Sequence, residues 1–349
     1  METKTTQVFI CFAFFSICLI IEPFITKVCS QESDKAEILD SQDYFLFYNV
    51  ENLFDLKEDS LTDDDSFTPA GEKNWNHYRL NKKINSIYKV IIGAGEWEPP
   101  ALVGLAEVES RVVLEKLLHY TPLYELNYRI IHYDSKDERG IDVALLYRQN
   151  KFKPLLSKTK TIVFPFDRNN KTRDILFVKG VFGFDTLYIF VNHWPSRYGG
   201  GMSSEPYRMH AAHTLSAWID SLNILKTDGS IIICGDFNDE AEDASLENFI
   251  DYFQGKIQKL RPNSSKNIEG SLKFKEKWYI FDLFFVSEDL LKEESCLRTN
   301  TYYDILNMDY LLVPDQKGLG YKPYRTYTGP RYQGGYSDHL PVRLRLIRK

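Results

Sequence analysis

Cysteine is scarce in this chain: five residues in 349, three of them (Cys11, Cys18 and Cys29) inside the first thirty positions. Only Cys234 and Cys296 remain in the body, which excludes a disulfide framework as the source of stability. No Cys/His spacing suggests a structural zinc site. Basic charge is also lacking. Forty-three Lys and Arg face forty-nine Asp and Glu, a formal net charge of −6. No global basic field advertises tight binding to DNA or RNA, although an enzyme that grips phosphates locally remains compatible. Repeats, low-complexity stretches and obvious linkers are missing after Asp43, which argues against arrays and tethered modules. The acidic tract "DSLTDDDS" at 59–66 lacks the loop glycine and closing glutamate of an EF-hand, so it reads as a solvated loop.

What is present divides into a leader and a body. Lys4 precedes "VFICFAFFSICLII", an apolar run of signal-peptide length and short for a membrane span. Val28 and Ser30 suit a cleavage site, so residues 1–30 are expected to be a signal peptide, with an uncleaved anchor as the alternative. Residues 31–42 are a polar lead-in, and 43–349 form one domain of an exported protein. In that domain, strand-like runs at 43–50, 101–106, 141–147, 174–182, 186–192, 230–234, 279–286 and 341–347 interleave with helical periodicity. Leu80, Ile84, Ile87 and Ile91 share one helical face. Val112, Leu114, Leu117 and Leu118 follow Ser110, and Leu215, Trp218, Ile219, Leu222 and Leu225 mark a third helix. The segment "FVKGVFGFDTLYIFVNH" reads as a hairpin turning near Gly183–Thr186. The pattern is α/β with mixed sheets. Segments 55–78 and 255–277 read as long surface loops, and "YGGGMSSEP" as a flexible one.

Several strand-like runs end in polar residues where packing alone would favour apolar ones. "YFLFYNVENLFD" carries Asn49 and Glu51, and "ALVGLAEVES" carries Glu107. "LYIFVNHWPSR" ends in Asn192 and His193, and "IIICGDFND" in Asp236 and Asn238. "GGYSDHLPV" opens the last strand with Asp338 and His339. Singly, each reads as a turn cap or an ordinary strand-end polar residue. Together they point to a shared cleft. The residue types suit phosphoester chemistry: magnesium takes oxygen ligands from one or two carboxylates, and displacement at phosphorus needs an oriented water and a countercharge. Asn49 and Glu107 supply a sparse oxygen shell, Asp236 can hold water, and Asn238 can steady it. His193 and His339 can donate to phosphate oxygens.

The motifs "YNVENLF", "GLAEVE", "VNHWPSR", "GDFND" and "SDHLPV", in that order across nearly the whole body, resemble the endonuclease/exonuclease/phosphatase superfamily, which includes deoxyribonuclease I. The resemblance implies a four-layer α/β/β/α sandwich of two mixed sheets flanked by helices. It also implies a divalent metal, usually Mg2+, with Mn2+ or Ca2+ as substitutes. Carried over by position, Asn49, Glu107 and Asp338 become metal-binding residues, Asp236 and Asn238 the water-orienting pair, and His193 and His339 phosphate contacts. "KWYIFDLFFVS" resembles the strand whose acid pairs with the last histidine, which makes Asp282 that acid. Leu283 departs from the polar or basic residue usual there. Arg139 and Asp142 in "ERGIDVALLY", with Arg197 and Arg208 around the loop after His193, are candidate substrate contacts. The implied activity is phosphodiester hydrolysis, with nucleic acid as substrate, a monomeric enzyme and no obligate protein partner. A sphingomyelinase-like enzyme is one alternative, disfavoured because no long apolar hairpin is apparent. A sugar or inositol phosphatase is another, though the inositol phosphatases' "CDR" and "GDLNYR" are missing. A non-catalytic ligand-binding surface protein is the third, and the intact residue set argues against it.

Overall fold

A computed structural model describes residues 41–349, apart from 198, 228, 265–267, 317 and 319. The expected signal segment and nearly all of the polar lead-in lie outside the described residues. Within them, eight early strands carry the architecture. They are β1 (Ser41–Leu53), β2 (Leu102–Val108), β3 (Tyr128–His132), β4 (Asp142–Arg148), β5 (Phe152–Lys160), β6 (Ile175–Phe182), β7 (Asp185–His193) and β8 (Ser230–Asp236). Four helices accompany them: α1 (His77–Gly93), α2 (Arg111–His119), α3 (Gly201–Ser221) and α4 (Ala244–Tyr252).

The first sheet runs Arg261–Asn263, Tyr302–Ile305, Val342–Arg348, β1, β2, β4, β3, with Leu297–Thr299 also pairing on Val342–Arg348. The second runs β5, β6, β7, β8, Asp282–Ser287, Ile257–Lys259. Each sheet contains one parallel pair joined through a helix: β1 and β2 through α1, and β7 and β8 through α3. In a parallel pair both strands finish at the same edge, which is where open α/β sheets place their ligands. The sheets meet face to face. Phe45 and Phe284 contact edge-on at 5.6 Å between ring centroids. A Cβ on Gly104 would lie 3.1 Å from Phe47 and 3.5 Å from the Cys234 sulfur, so the small residue lets the layers close. The helices cover the outer faces. α1 packs on β1 and α2 on β3, while Trp218 of α3 seats against Phe177 and Phe190 of the second sheet. This is the four-layer α/β/β/α arrangement that the resemblance implies.

Asn76 caps α1, its side chain accepting from Arg79 N at 3.2 Å. The expected face Leu80, Ile84, Ile87 and Ile91 is buried, and Lys83 is buried with it. In α2 the inward residue is Val113, and Val112 is exposed. The presumed flexible "YGGGMSSEP" loop instead supplies the first turns of α3, with Pro206 inside the helix. The long segments are partly ordered as well. Trp75 is fully buried and donates to Phe54 O, tying down residues 54–76. Asp64 in the acidic tract is buried, accepting from Asp59 N. Residues 255–277 contain the short strands Ile257–Lys259, Arg261–Asn263 and Leu272–Phe274. Cys234 and Cys296 are free thiols. Among the described residues, no helix is long and apolar enough to cross a membrane.

Candidate active site

The carboxyl ends of β1, β2, β7 and β8 deliver the site. Three adjacent strands of the second sheet align it: Asp236 is the register partner of His193 on one side and of Asp282 on the other. The parallel neighbours β1 and β2 of the first sheet both bulge at one level, between Asn49 and Leu53 on β1 and between Ala106 and Val108 on β2. There the backbone enters the left-handed region at Glu51 (φ 52°), Asn52 (φ 58°) and Glu107 (φ 62°), and across the cleft at Asn238 (φ 53°). Each such non-glycine residue costs roughly 1 kcal/mol, and strain of this kind gathers at functional sites. The bulges re-aim side chains that a regular pleat would send elsewhere.

Asp236 lies at the centre and is almost fully buried. Its Oδ2 accepts from Asn49 Nδ2 at 2.9 Å, and its Oδ1 from Asn238 N at 3.0 Å. Oδ2 is also 3.7 Å from His193 Nε2 and 3.6 Å from His339 Nε2. Both separations exceed hydrogen-bond length, so one carboxylate oxygen faces two imidazole nitrogens without a direct bond to either. Burial pushes the Asp236 carboxyl above the usual carboxylate range, and the His339 charge opposes that.

The two histidines differ in charge. His339 Nδ1 meets Asp282 Oδ2 at 2.7 Å, and Ser271 donates to the same oxygen at 2.5 Å. Burial pulls the His339 imidazole down, but Asp282 and Asp236 together overcome it and hold its pKa well above the ordinary histidine value. His339 is therefore an imidazolium at neutral pH. His193 goes the other way. Burial, reinforced by Arg173 and Arg139, drives its pKa well below normal. Its contact with Asp236 is thus no ion pair. Its Nδ1 is buried with no hydrogen-bond partner, and the cheaper tautomer puts the proton on Nε2, aimed at the cleft.

Beside this group lies a cluster of acids. Glu107 Oε2 accepts from Asn52 N at 2.9 Å and lies 3.6 Å from Arg139 Nη2, which also bonds Asn52 Oδ1. Glu51 accepts from Thr326 N at 2.6 Å and pairs with Arg325 at 3.2 Å, and Arg325 reaches Asp338 at 2.9 Å. Burial and the neighbouring Asp338 raise the Glu51 pKa. Lys83, fully buried, donates to Thr326 Oγ1 and Tyr336 O, and burial lowers its pKa to about 8. Against the effect of burial, Asp338, Glu51 and Glu107 all lie near enough to Arg325 to raise its pKa, and the oxygen chemistry of these acids and the Asn49 amide fits a hard divalent cation. Asp236, Asp282 and His339 also offer ligand atoms within 4.8 Å of one another. Their hydrogen-bond pattern suits proton handling better, because a protonated His339 has no lone pair to give an ion and Asp282 Oδ2 is engaged by it.

The structure thus brings Asn49, Glu107, His193, Asp236, Asn238, Asp282, Asp338, His339 and Arg139 to one end of the two sheets. Asp282 faces His339 despite the unusual Leu283, which points away into the buried strand. The remaining expected contacts lie elsewhere. Asp142 is buried, 3.4 Å from His132 and accepting from Ser135 N. Arg208 is also buried, 2.7 Å from Asp239, and a side chain sealed from solvent cannot clamp a substrate. Arg197 bonds Asn238 O at 2.7 Å and Asp239 at 2.7 Å, so it braces the loop that carries Asn238. Sequence reasoning missed Arg325 and Lys83. Lys83 had a signal, since it sits three residues after Leu80 on the apolar face of α1. Arg325 had none.

A family model described as the endonuclease/exonuclease/phosphatase family matches residues 45–348. No curated protein matches the chain. Solved structures do. An endonuclease/exonuclease/phosphatase family protein from Bacteroides thetaiotaomicron covers 89% of this chain and 99% of its own at 14% identity and TM-score 0.54. A mannosyl-6-phosphatase from the same organism covers 87% and 99% at 16% identity and TM-score 0.53. D. rerio TDP2, complexed with a single-strand DNA product, covers 88% and 99% at 14% identity and TM-score 0.51. At such identities these structures speak for the fold alone. The family match over nearly every described residue, on strands that converge on these acids, amides and imidazoles, makes the chain a member of the endonuclease/exonuclease/phosphatase family and hence a metal-dependent hydrolase of phosphoester bonds.

Proposed function

We propose that the protein is an exported nuclease that hydrolyses phosphodiester bonds with magnesium. The observation that carries the mechanism is the position of Asp236 Oδ2 between the Nε2 atoms of His193 and His339. A water bonded to Asp236 gives its proton to that carboxylate as its oxygen attacks phosphorus. The bond to the leaving oxygen breaks in line, and that oxygen leaves as an anion that takes a proton from solvent. Burial has already raised the proton affinity of the Asp236 carboxyl, which suits it to this task. The His339 imidazolium, kept charged by Asp282, and the neutral His193 N–H donate to phosphate oxygens as negative charge develops there. Asn49 and the backbone of Asn238 hold the Asp236 carboxylate in place. Asn49, Glu107 and Asp338 would hold the cation, which supplies further charge neutralisation at phosphorus.

A second reading, a sugar phosphatase, is favoured by Arg139 and Arg325, two partly exposed guanidiniums that suit a terminal phosphate dianion. Purified protein incubated with plasmid DNA, single-stranded DNA, RNA, sphingomyelin vesicles, mannose 6-phosphate and inositol phosphates, with and without EDTA, separates the readings. Nucleic-acid cleavage abolished by EDTA is the expected result, and hydrolysis of monoesters alone would refute the nuclease. His339→Ala should lower kcat about a thousandfold with KM within a few-fold, since its contact strengthens in the transition state.

A further inference from the structure

One surface bordering the site has no part in the scheme above. The strands Leu272–Phe274 and Lys277–Tyr279 form a short antiparallel hairpin, with Lys275 (φ 57°) in its turn. It is anchored to the catalytic pair at its base. Leu272 bridges to His339, Ser271 O accepts from Leu340 N at 2.6 Å, and Ser271 Oγ donates to Asp282. Its position is thus rigidly tied to that of the His339 imidazole.

The two faces of the hairpin differ. Lys273 and Trp278 pair on one face, where Lys273 is buried against Asp315. Phe274 pairs with Lys277, and Leu272 with Tyr279, on the other. There Phe274 is 60% exposed and the Lys277 side chain 65%. From this face a continuous path leads back to the site. Lys277 Nζ lies 4.5 Å over the Tyr279 ring, and Tyr279 is 5.2 Å from Phe281. The Arg197 guanidinium lies 4.9 Å over Phe281, and Arg197 bonds Asn238 O. Along this path two cations, Lys277 and Arg197, flank two neighbouring rings, Tyr279 and Phe281. Besides that ring, Lys277 pairs with the half-buried Glu240 at 3.4 Å, a long contact that leaves the ammonium open to a phosphate.

We propose that this ridge is a platform for the unpaired nucleic-acid strand on one side of the scissile phosphate. Phe274 and Tyr279 stack bases, and Lys277 meets the backbone. The inference rests on the nuclease reading and narrows its substrate to single-stranded or locally unpaired nucleic acid. Stacking on aromatic rings is tolerant of sequence, and rings interleaved with cations are how single strands are held. A local ridge also explains how a chain of net charge −6 can grip a polyanion. A bilayer is the poorer occupant: one exposed phenylalanine between Lys275, Glu276 and Lys277 offers little apolar surface to insert.

The test uses a fluorescent single-stranded oligonucleotide of about twelve nucleotides, followed by anisotropy in EDTA and by steady-state cleavage with magnesium. Phe274→Ala should weaken binding and raise KM about tenfold, relative to any change with bis-p-nitrophenyl phosphate, which is too small to reach Phe274. Lys277→Ala should flatten the dependence of log affinity on log salt by about 0.7, the share of one phosphate contact on a single strand. Phe274 and Lys277 are mostly exposed, so neither change should unfold the protein. Oligonucleotide affinity within twofold of wild type in both variants overturns the proposal. So does a loss seen only with anionic phospholipid vesicles. If the unaltered protein cleaves no oligonucleotide, the nuclease reading falls too; if it does and the variants match it, only the platform falls.

Discussion

Replacing Asp282 with asparagine keeps the shape of the side chain and removes its charge. Asp282 Oδ2 lies 2.7 Å from His339 Nδ1 in a pocket where both side chains are buried. Two unit charges centred about 4 Å apart interact by about 4 kcal/mol at an effective dielectric constant of 20. The asparagine oxygen can still accept from the ring, which returns part of that, so the net loss is about 2–3 kcal/mol. Burial, then opposed by Asp236 and Asp338 without Asp282, pulls the His339 pKa down, and the imidazole holds its proton less firmly. The less charge His339 carries, the less it lowers the Asp236 pKa, so a larger share of Asp236 is already protonated and cannot take up the water's proton. Both changes slow the same step. The expected result is a fall in kcat of about a hundredfold at pH 8, shrinking below pH 6 as the imidazole recovers its proton. Hydrolysis of bis-p-nitrophenyl phosphate across pH 5–9, with urea unfolding to check the fold, measures it. A kcat within threefold of wild type with an unchanged pH profile would refute the view that Asp282 keeps His339 charged.

Two further predictions concern stability. Arg208→Ala leaves Asp239 buried with Arg197 as its remaining cation, and should cost about 3 kcal/mol by urea denaturation; a loss under about 1 kcal/mol would contradict the structural role given to Arg208. Burial raises the Glu109 pKa to about 8. In the folded state Glu109 keeps its proton where the unfolded chain has lost it, so its contribution to stability falls as pH rises from about 4.5 to 8. Glu109→Gln should abolish that fall and leave the variant more stable by about 2 kcal/mol at pH 8.5, with little difference at pH 4; a parallel pH dependence of the two proteins in urea would refute it.

Much of the site is legible along the chain because strand ends betray themselves. An apolar run that finishes in Asn49, Glu107, His193 or Asp236 has no packing reason to do so, and residue type alone then indicates oxygen donors and imidazoles suited to a phosphate. The alternation of strand and helix gives the α/β class for the same reason, since periodicity is a local property, whereas the four layers were implied by the family resemblance. Arg208 shows where that reading stops. Its neighbours in sequence look like a surface loop, but α3 begins at Gly201 and turns the side chain inward onto Asp239.

The sequence by itself determined the central strands, that polar residues sit at their ends, and which chemistry those residues can perform; the strands Tyr128–His132 and Phe152–Lys160 emerged only in the structure. Only the tertiary structure decided which of them share a charge. Asn49 meets Asp236 across 187 positions, and Glu51 meets Arg325 across 274. The paired bulges on β1 and β2 aim Glu51 and Glu107, and the buried acids Asp282 and Asp236 make His339 a cation while His193 stays neutral. Charge state depends on burial and on partners brought close through space, and neither is a property of a residue's neighbours along the chain.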